Sequence, residues 1–338
     1  MPMSHVNQRR STTKTLVYHS GALGDFITIL PALRLWKANY PSEGIALLGR
    51  RSLRQPAELS GLFDEYWNVE SASFPSLFSQ AISKDIEPLF FGLKSAILFA
   101  KAGSPLPENF QKLGIPQIYT QEPFPTSRLP KYRYHLALFD NLLRSASKPY
   151  FETQPLLKPP QHPLDRSLER VWGACAKNRV TIHPGSGSSI KNWPLERFVR
   201  LAETLRDDGC SVLWIAGPAE RELEIPTSFA QVRNAEVADL VYLLSRCDLY
   251  IGNDSGISHC AAATNVSCIV LFGPSDPIVW RPFGTGVRVI YGNSECGPCH
   301  HSPAFQYSHN RSHKLMCDRK CLTAITVDEV YRACTEAL

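Results

Sequence analysis

The chain has 338 residues, 43% of them hydrophobic and 20% charged, with a formal net charge of +5. That length suggests about two domains, and the composition is that of an ordinary globular protein, which excludes a disordered or fibrous chain. So small a charge suits an anionic ligand or an acidic membrane surface, and the blocks of lysine and arginine expected of a nucleic-acid binder are missing.

Residues 1–14 are polar and basic with no apolar run behind them, so they read as a disordered tail rather than a secretory signal, and the expected location is cytoplasmic. Thr15–His19 is a short strand, Ser20–Asp25 a tight turn and Phe26–Asn39 an apolar-periodic helix. Gly44–Gly49 reads as the next parallel strand, and residues 52–177 alternate less clearly. The most apolar run, Leu89–Ala100, has twelve residues and includes Lys94, too short to span a bilayer. Thr153–Asp165 holds four prolines and reads as a linker between an N-terminal domain, 15–152, and a C-terminal one, 166–338. In the latter, strands are predicted at Arg179–Ile182, Ser211–Ala216, Asp248–Gly252, Cys268–Phe272 and Val287–Tyr291. Helices fit at Leu195–Asp207, Asp239–Cys247 and Ile257–Ala263, and the last helix of the chain is expected to pack back on the first domain. Strands alternating with helices make an α/β fold with a parallel sheet covered on both faces. Such sheets bind ligands at the carboxyl ends of their strands, and each loop singled out below follows a predicted strand.

In the first of these loops, Gly21-Ala-Leu-Gly24-Asp25, two glycines permit close backbone approach and Asp25 stands at a helix start. It is either a first-turn acid favoured by the helix dipole or a general base that the dipole keeps ionised. The second, His183 to Pro194, combines small residues with Ser188, Ser189 and Lys191, which suits a phosphate; it is not a Walker loop, because it has no Gly-Lys-Ser/Thr. A solvated serine-rich loop is the alternative. The third, Ile251 to His259, again joins a strand to a helix, with Asp254 or Ser255 as N-cap. The helix would aim free amides from Gly256 onward at an anion, with His259 within reach. Against this stand a purely capping Asp254 and a core histidine. Glu220 in Ala216-Gly-Pro-Ala-Glu220 is either a ribose acceptor of hydrogen bonds or a helix-start acid, and the turn Leu271–Asp276 is expected to contribute mostly backbone.

Taken in order, these loops resemble glycosyltransferase family 9, the ADP-heptose:lipopolysaccharide heptosyltransferases. The resemblance rests on GALGD before a helix with Pro31-Ala32-Leu33, the HPGS-to-KNWP loop, GNDSG-x-x-H, the FGP turn and the terminal CLTAITVDEV. Residues 52–177 depart most from it. It implies the GT-B fold, two Rossmann-like domains facing across a cleft that holds the active site. It also implies inverting, metal-independent transfer of heptose from ADP-heptose to a lipid A-core acceptor. On the resemblance Asp25 is the catalytic base, and Lys191 with Ser188 and Ser189 clamps the diphosphate. Asp254 holds sugar hydroxyls, Ser255, Gly256 and His259 surround the phosphates, and Glu220 meets the ribose. No cofactor is implied. The residues agree in one respect: no Asp-x-Asp occurs, so fixed cations and helix dipoles must stabilise a departing diphosphate.

Cys296 and Cys299, with Cys317 and Cys321, have spacings that fit a tetrahedral structural zinc, reduced thiols or a facultative disulfide being the alternatives. On the first domain Arg50, Arg51, Arg54, Arg128, Lys131 and Arg133 are candidates for an anionic glycolipid acceptor, with peripheral contact at the cytoplasmic face of the inner membrane; each can equally be a solvated surface charge. Three rival functions remain: a transferase using another nucleotide sugar for a different surface polysaccharide, a sugar-nucleotide 2-epimerase, and a non-catalytic nucleotide-sugar binder. An epimerase would act on donor alone.

Overall fold

Parallel strands buried on both faces read as near-continuous apolar runs, and the run Gly44–Gly49 forms such a strand, buried throughout. The computed structural model describes residues 13–140, 154–172, 178–294, 298–299 and 319–338. The chain divides into two units, Met1–Ser127 with Lys131–Tyr150, and Arg128–Pro130 with Phe151–Leu338.

In chain order the first unit contains β1 (Thr13–His19), α1 (Leu23–Asn39), β2 (Gly44–Gly49), α2 (Arg54–Ser60), β3 (Glu65–Asn68) and α3 (Glu87–Phe90), followed by β4 (Ser95–Phe99), α4 (Leu106–Lys112), β5 (Gln117–Gln121) and α5 (Lys131–Asp140). All strands are parallel, in the order β3-β2-β1-β4-β5. The apolar run Leu89–Ala100 is split between the end of α3 and β4, with Gly92 at φ +83° turning the chain between them; a left-handed backbone there favours glycine. Leu16, Leu48 and Leu98 pack with Phe90 and Phe110 in one core cluster. Trp36 of α1 meets Phe139 of α5 at 5.5 Å between ring centroids.

The second unit contains β6 (Arg179–His183), α6 (Leu195–Asp207), β7 (Ser211–Ala216), β8 (Ala230–Arg233), α7 (Val237–Leu244) and β9 (Leu249–Asn253). After these come α8 (Gly256–Ala263), β10 (Ser267–Phe272), α9 (Pro277–Trp280), β11 (Val287–Tyr291), α10 (Lys320–Ala324) and α11 (Val327–Ala337). Its sheet is parallel in the order β11-β10-β9-β6-β7-β8. Phe198, Leu201, Ala202 and Leu205 recur at helical spacing and bury one face of α6. The edge strand β8 is absent from the sequence expectation because its four residues are mostly exposed or half-buried and carry no apolar run.

Val330, Ala333 and Cys334 of α11 are buried in the same cluster as Phe198 and Leu201, so the last helix completes the core of the second unit. The proline-rich segment packs on the second unit: Leu156 and Leu157 are buried, Leu157 N–H donates to Ala263 O at 3.0 Å, and Leu164 N–H donates to Asp239 Oδ1 at 2.5 Å. Two leucines with an apolar surface to cover outweigh the low propensity of the prolines.

Each sheet reverses its strand order beside its first strand, between β1 and β4 and between β6 and β9. At such a switch point the connections leave in opposite directions and open a crevice outside the carboxyl ends of the strands.

Candidate functional site

In the first unit the crevice is a cavity of about 330 Å³. Loops following β1, β4 and β5 line it with His19, Ser20, Gly21, Asp25, Phe99, Lys101, Ser104 and Phe124. Asp25 is the third residue of α1, and its Oδ2 accepts the N–H of the N-cap residue Ala22 at 3.3 Å. It is therefore a first-turn acid, and it also borders the cavity with 23% of its side chain exposed. A Cβ at position 21 would stand 2.9 Å from His19 Cε1 and 3.2 Å from Asp25 Oδ2, so the turn needs a glycine to bring these groups together. Lys131, the first residue of α5, is buried, with Nζ hydrogen-bonded to Asp25 Oδ1 and 4.5 Å from the Phe124 ring centroid. Burial works to raise the pKa of Asp25, but the charge and hydrogen bond of Lys131, assisted by the Ala22 N–H, hold the carboxyl below its ordinary 3.8. Burial lowers the pKa of Lys131 against the pull of Asp25. His19 and His135 are neutral: desolvation brings them from 6.5 to about 3 and about 2.

In the second unit, the crevice between β6 and β9 brings the predicted loops together. Lys191 Nζ lies 2.9 Å from Asp254 Oδ2, and Ser275 Oγ donates to the same oxygen at 2.5 Å, so loops following β6, β9 and β10 meet at one atom. Ser255 is the N-cap of α8, its hydroxyl accepting from Ser258 N–H at 3.3 Å; this leaves Asp254 to its ion pair. Gly256 opens α8, and His259 lies one turn in, buried. Ser188 is half-buried and Ser189 exposed, with Ser189–Lys191 forming a single 3-10 turn. Asn253 secures the arrangement from beneath: Oδ1 accepts Trp193 N–H at 2.9 Å, and Nδ2 donates to Pro184 O at 2.7 Å.

Several predicted residues stand elsewhere than expected. Glu220 is buried, accepts Gly217 N–H at 2.7 Å and lies 3.6 Å from His183 Nε2. Burial pushes its pKa up, yet His183 and the amide outweigh it and leave the carboxyl below 4.5. A Cβ on Gly185 would come within 1.9 Å of Glu220 Oε1, so the carboxylate is packed inward, as a helix-start acid is, rather than displayed to a ribose. Arg128 belongs to the second unit, where Nε donates to the buried Asp276 at 2.6 Å. Lys131 is likewise engaged, on Asp25, and not displayed to an acceptor. Arg50 and Arg133 are exposed, and so are Arg51 and Arg54, the latter paired with Glu58. Cys296 and Cys317 lie outside the described residues; Cys299 is half-buried and Cys321 is buried in α10. Among the described residues no group of three or more His, Cys, Asp or Glu is placed to hold a metal ion. Sequence reasoning missed Ser275, Asn253, His19 and His135, whose importance comes from neighbours distant in the chain.

The profile of glycosyltransferase family 9 (heptosyltransferase) matches residues 111–307, more than half of the chain. The chain belongs to glycosyltransferase family 9. The family match contains the Lys191, Asp254 and Ser275 loops and begins after the Asp25 loop. Lipopolysaccharide heptosyltransferase 3 of Escherichia coli is 30% identical over 121 residues, 33% of this chain and 36% of that one. The counterpart from Escherichia coli strain K12 is 26% identical over 170 residues, 47% and 46% of the two chains, so this chain spans between a third and a half of the length of these curated relatives. Among solved structures, E. coli ADP-heptose lps heptosyltransferase II superposes with a TM-score of 0.74 at 17% identity, covering 96% of this chain and 98% of that one. A glycosyl transferase family 9 protein of Veillonella parvula gives 0.75 at 16% identity, with 96% and 97% covered. These likenesses show the fold, which is GT-B. No described helix of this family member is long and apolar enough to cross a membrane.

Proposed function

We propose that the enzyme transfers heptose from ADP-heptose to a hydroxyl of a lipid A-core acceptor with inversion and without a metal ion. The observation that carries this reading is Asp25, a carboxylate held ionised by Lys131 at the rim of the switch-point cavity of the first unit. In the reaction the acceptor O–H bond breaks and its proton passes to Asp25. The freed oxygen bonds to the sugar C1, and the bond from C1 to the diphosphate oxygen breaks with its electron pair leaving on the nucleotide. The second unit supplies what the leaving group needs. Lys191 is a fixed cation, the amino end of α8 presents backbone amides, and Asp254, bridged to Ser275, is suited to sugar hydroxyls. Ser188, Ser189, Gly256 and His259 complete the proposed donor contacts, and Arg50 and Arg133 remain as cations for an anionic glycolipid. We place the enzyme in the cytoplasm, in peripheral contact with the inner membrane where such an acceptor resides. No metal or other cofactor is assigned to the reaction.

The deciding experiment is Asp25→Asn, assayed with ADP-heptose and de-O-acylated core lipopolysaccharide. The amide keeps the shape of the carboxylate, and its oxygen can still accept a hydrogen bond from Lys131, but it cannot take a proton at neutral pH. Turnover should fall by about 10²–10⁴-fold with donor affinity nearly intact. A folded variant working at the wild-type rate would remove Asp25 from the mechanism. Calorimetry with ADP, UDP, GDP and their sugars separates this donor from the alternative nucleotide sugars.

A further inference from the structure

A carboxyl group partly removed from water tends to keep its proton, and a protonated Asp25 could not act as a base. The groups facing it come from three elements. β1 contributes His19, α5 contributes Lys131 and His135, and the backbone of α1 contributes the Ala22 N–H; Arg50, beyond the end of β2, acts on His19. Both imidazoles are neutral and Arg50 is exposed, so the one buried cation touching the carboxylate among the described residues is Lys131. An ammonium side chain only 2% exposed is strongly unfavourable in a core unless it is paired. A leucine or methionine at position 131 would fill the space against Phe124 without that penalty.

We infer that Lys131 is a positioning residue: it anchors Oδ1 of Asp25, keeps the carboxylate ionised, and leaves Oδ2 to take the acceptor proton. The two oxygens are already distinguished in the structure. Oδ1 carries the ion pair, whereas Oδ2 has the longer 3.3 Å contact from the Ala22 N–H. The arrangement exchanges basicity for availability. A carboxylate beside a cation is a weaker base, but it stays ready at a pH where an unpaired one in the same site would be protonated. The inference rests on the reading of Asp25 as the base, and it adds that Lys131 sets the acid limit of turnover.

The test is the pH dependence of kcat/KM, which reports ionisations of the free enzyme, for the wild type and Lys131→Met with ADP-heptose and de-O-acylated core lipopolysaccharide. In the variant only burial and the weaker contacts act on Asp25, so the acid limb should move to higher pH, with Lys131→Arg keeping it closer to the wild-type position. A limb that stays in place in a folded Lys131→Met protein overturns the inference, because a lysine needed only for packing would change the yield of folded enzyme and not the limb. The second measurement needs no substitution at position 131. The carboxyl carbon of Asp25, assigned by its loss in Asp25→Asn, is titrated by ¹³C NMR in the wild-type protein. The carbon should keep the shift of an ionised carboxylate at every pH where the protein stays folded, and protonation of Asp25 in the folded protein at or above pH 3.8 overturns the inference even if Lys131→Met fails to fold. Asp25→Asn with full activity would sink the base reading itself, whereas an inactive Asp25→Asn beside an unmoved limb sinks only the role of Lys131.

Discussion

Lowering the pH should destabilise the first unit well above the pH at which carboxylates titrate. His19 ends β1 and His135 lies on α5, both buried, with their rings edge-on to Phe99 at 5.9 and 5.2 Å. Gln121 Nε2 donates to Tyr134 O at 2.8 Å, so its oxygen faces His135 Nδ1, also at 2.8 Å, and that nitrogen carries the proton. Charging either ring in place would strand a cation in the core. Both folded pKa values are depressed, to about 3 and about 2 from 6.5. The unfolded chain therefore binds more protons in the window from pH 6.5 down to about 3, and stability that is full above 6.5 is lost as pH falls through that window. One pKa unit is worth about 1.4 kcal/mol, so at pH 5 each histidine should have removed about 2 kcal/mol and the two together about 4. That is a large part of a total of about 5–15 kcal/mol. Hydrogen exchange of β1 and α1 peptides at pH 8 and pH 5, corrected for intrinsic rates, measures the loss in this unit alone. His135→Asn, whose amide can replace the donor to Gln121 but cannot ionise, should halve the pH dependence. Equal opening free energies at the two pH values would refute the assignment of neutral buried rings.

Three further outcomes follow from the second unit. Lys191→Ala should weaken donor binding and slow transfer by about 1.5–3 kcal/mol, the range for a charge-assisted contact; calorimetry with ADP-heptose showing unchanged affinity, with unchanged turnover, would remove the lysine from the donor site. Activity should persist in EDTA, since the chain has no Asp-x-Asp; a loss restored by magnesium contradicts the metal-independent reaction, and a loss restored only by zinc points to the cysteine pairs. Gly185→Ala should lower the stability of the second unit by about 1–3 kcal/mol in urea unfolding, because a Cβ 1.9 Å from Glu220 Oε1 must drive that carboxylate from the Gly217 amide; a neutral effect would show that the carboxylate is held more loosely than its contacts imply.

The second sheet was easier to read from sequence than the first, and the reason is physical. Strands such as β7 and β10 are apolar runs buried on nearly every residue, whereas β3 and β5 are half-buried or exposed and carry Glu65, Asn68, Gln117 and Gln121, a pattern that resembles a loop. The candidate site divides in the same way. Asp25, Lys191 and Asp254 were visible because each sits in a glycine-containing or small-residue turn between a strand and a helix, a signal contained within a dozen residues. Lys131 and Arg128 read as surface cations because their partners, Asp25 and Asp276, lie 106 and 148 residues away. Ser275 was passed over for the same reason: a serine after a proline reads as a turn, and only the adjacency of β9 and β10 brings its hydroxyl to Asp254.

The place of α11 in the second core has a consequence for synthesis. The first sheet and the helices α1 and α5 are complete once the chain reaches Asp140, but the Phe198 and Leu201 face of α6 waits for Val330, Ala333 and Cys334. Val327 follows Asp140 by roughly 190 residues, so at ribosomal speeds of ~5–20 residues per second the first unit exists for about 10–40 s before the second can close. From the synthesis of α6 until that of α11, about 120 residues later, a greasy helix face stands uncovered on a chain still being made, and a nascent chain in that condition is a natural client for a chaperone that binds apolar segments.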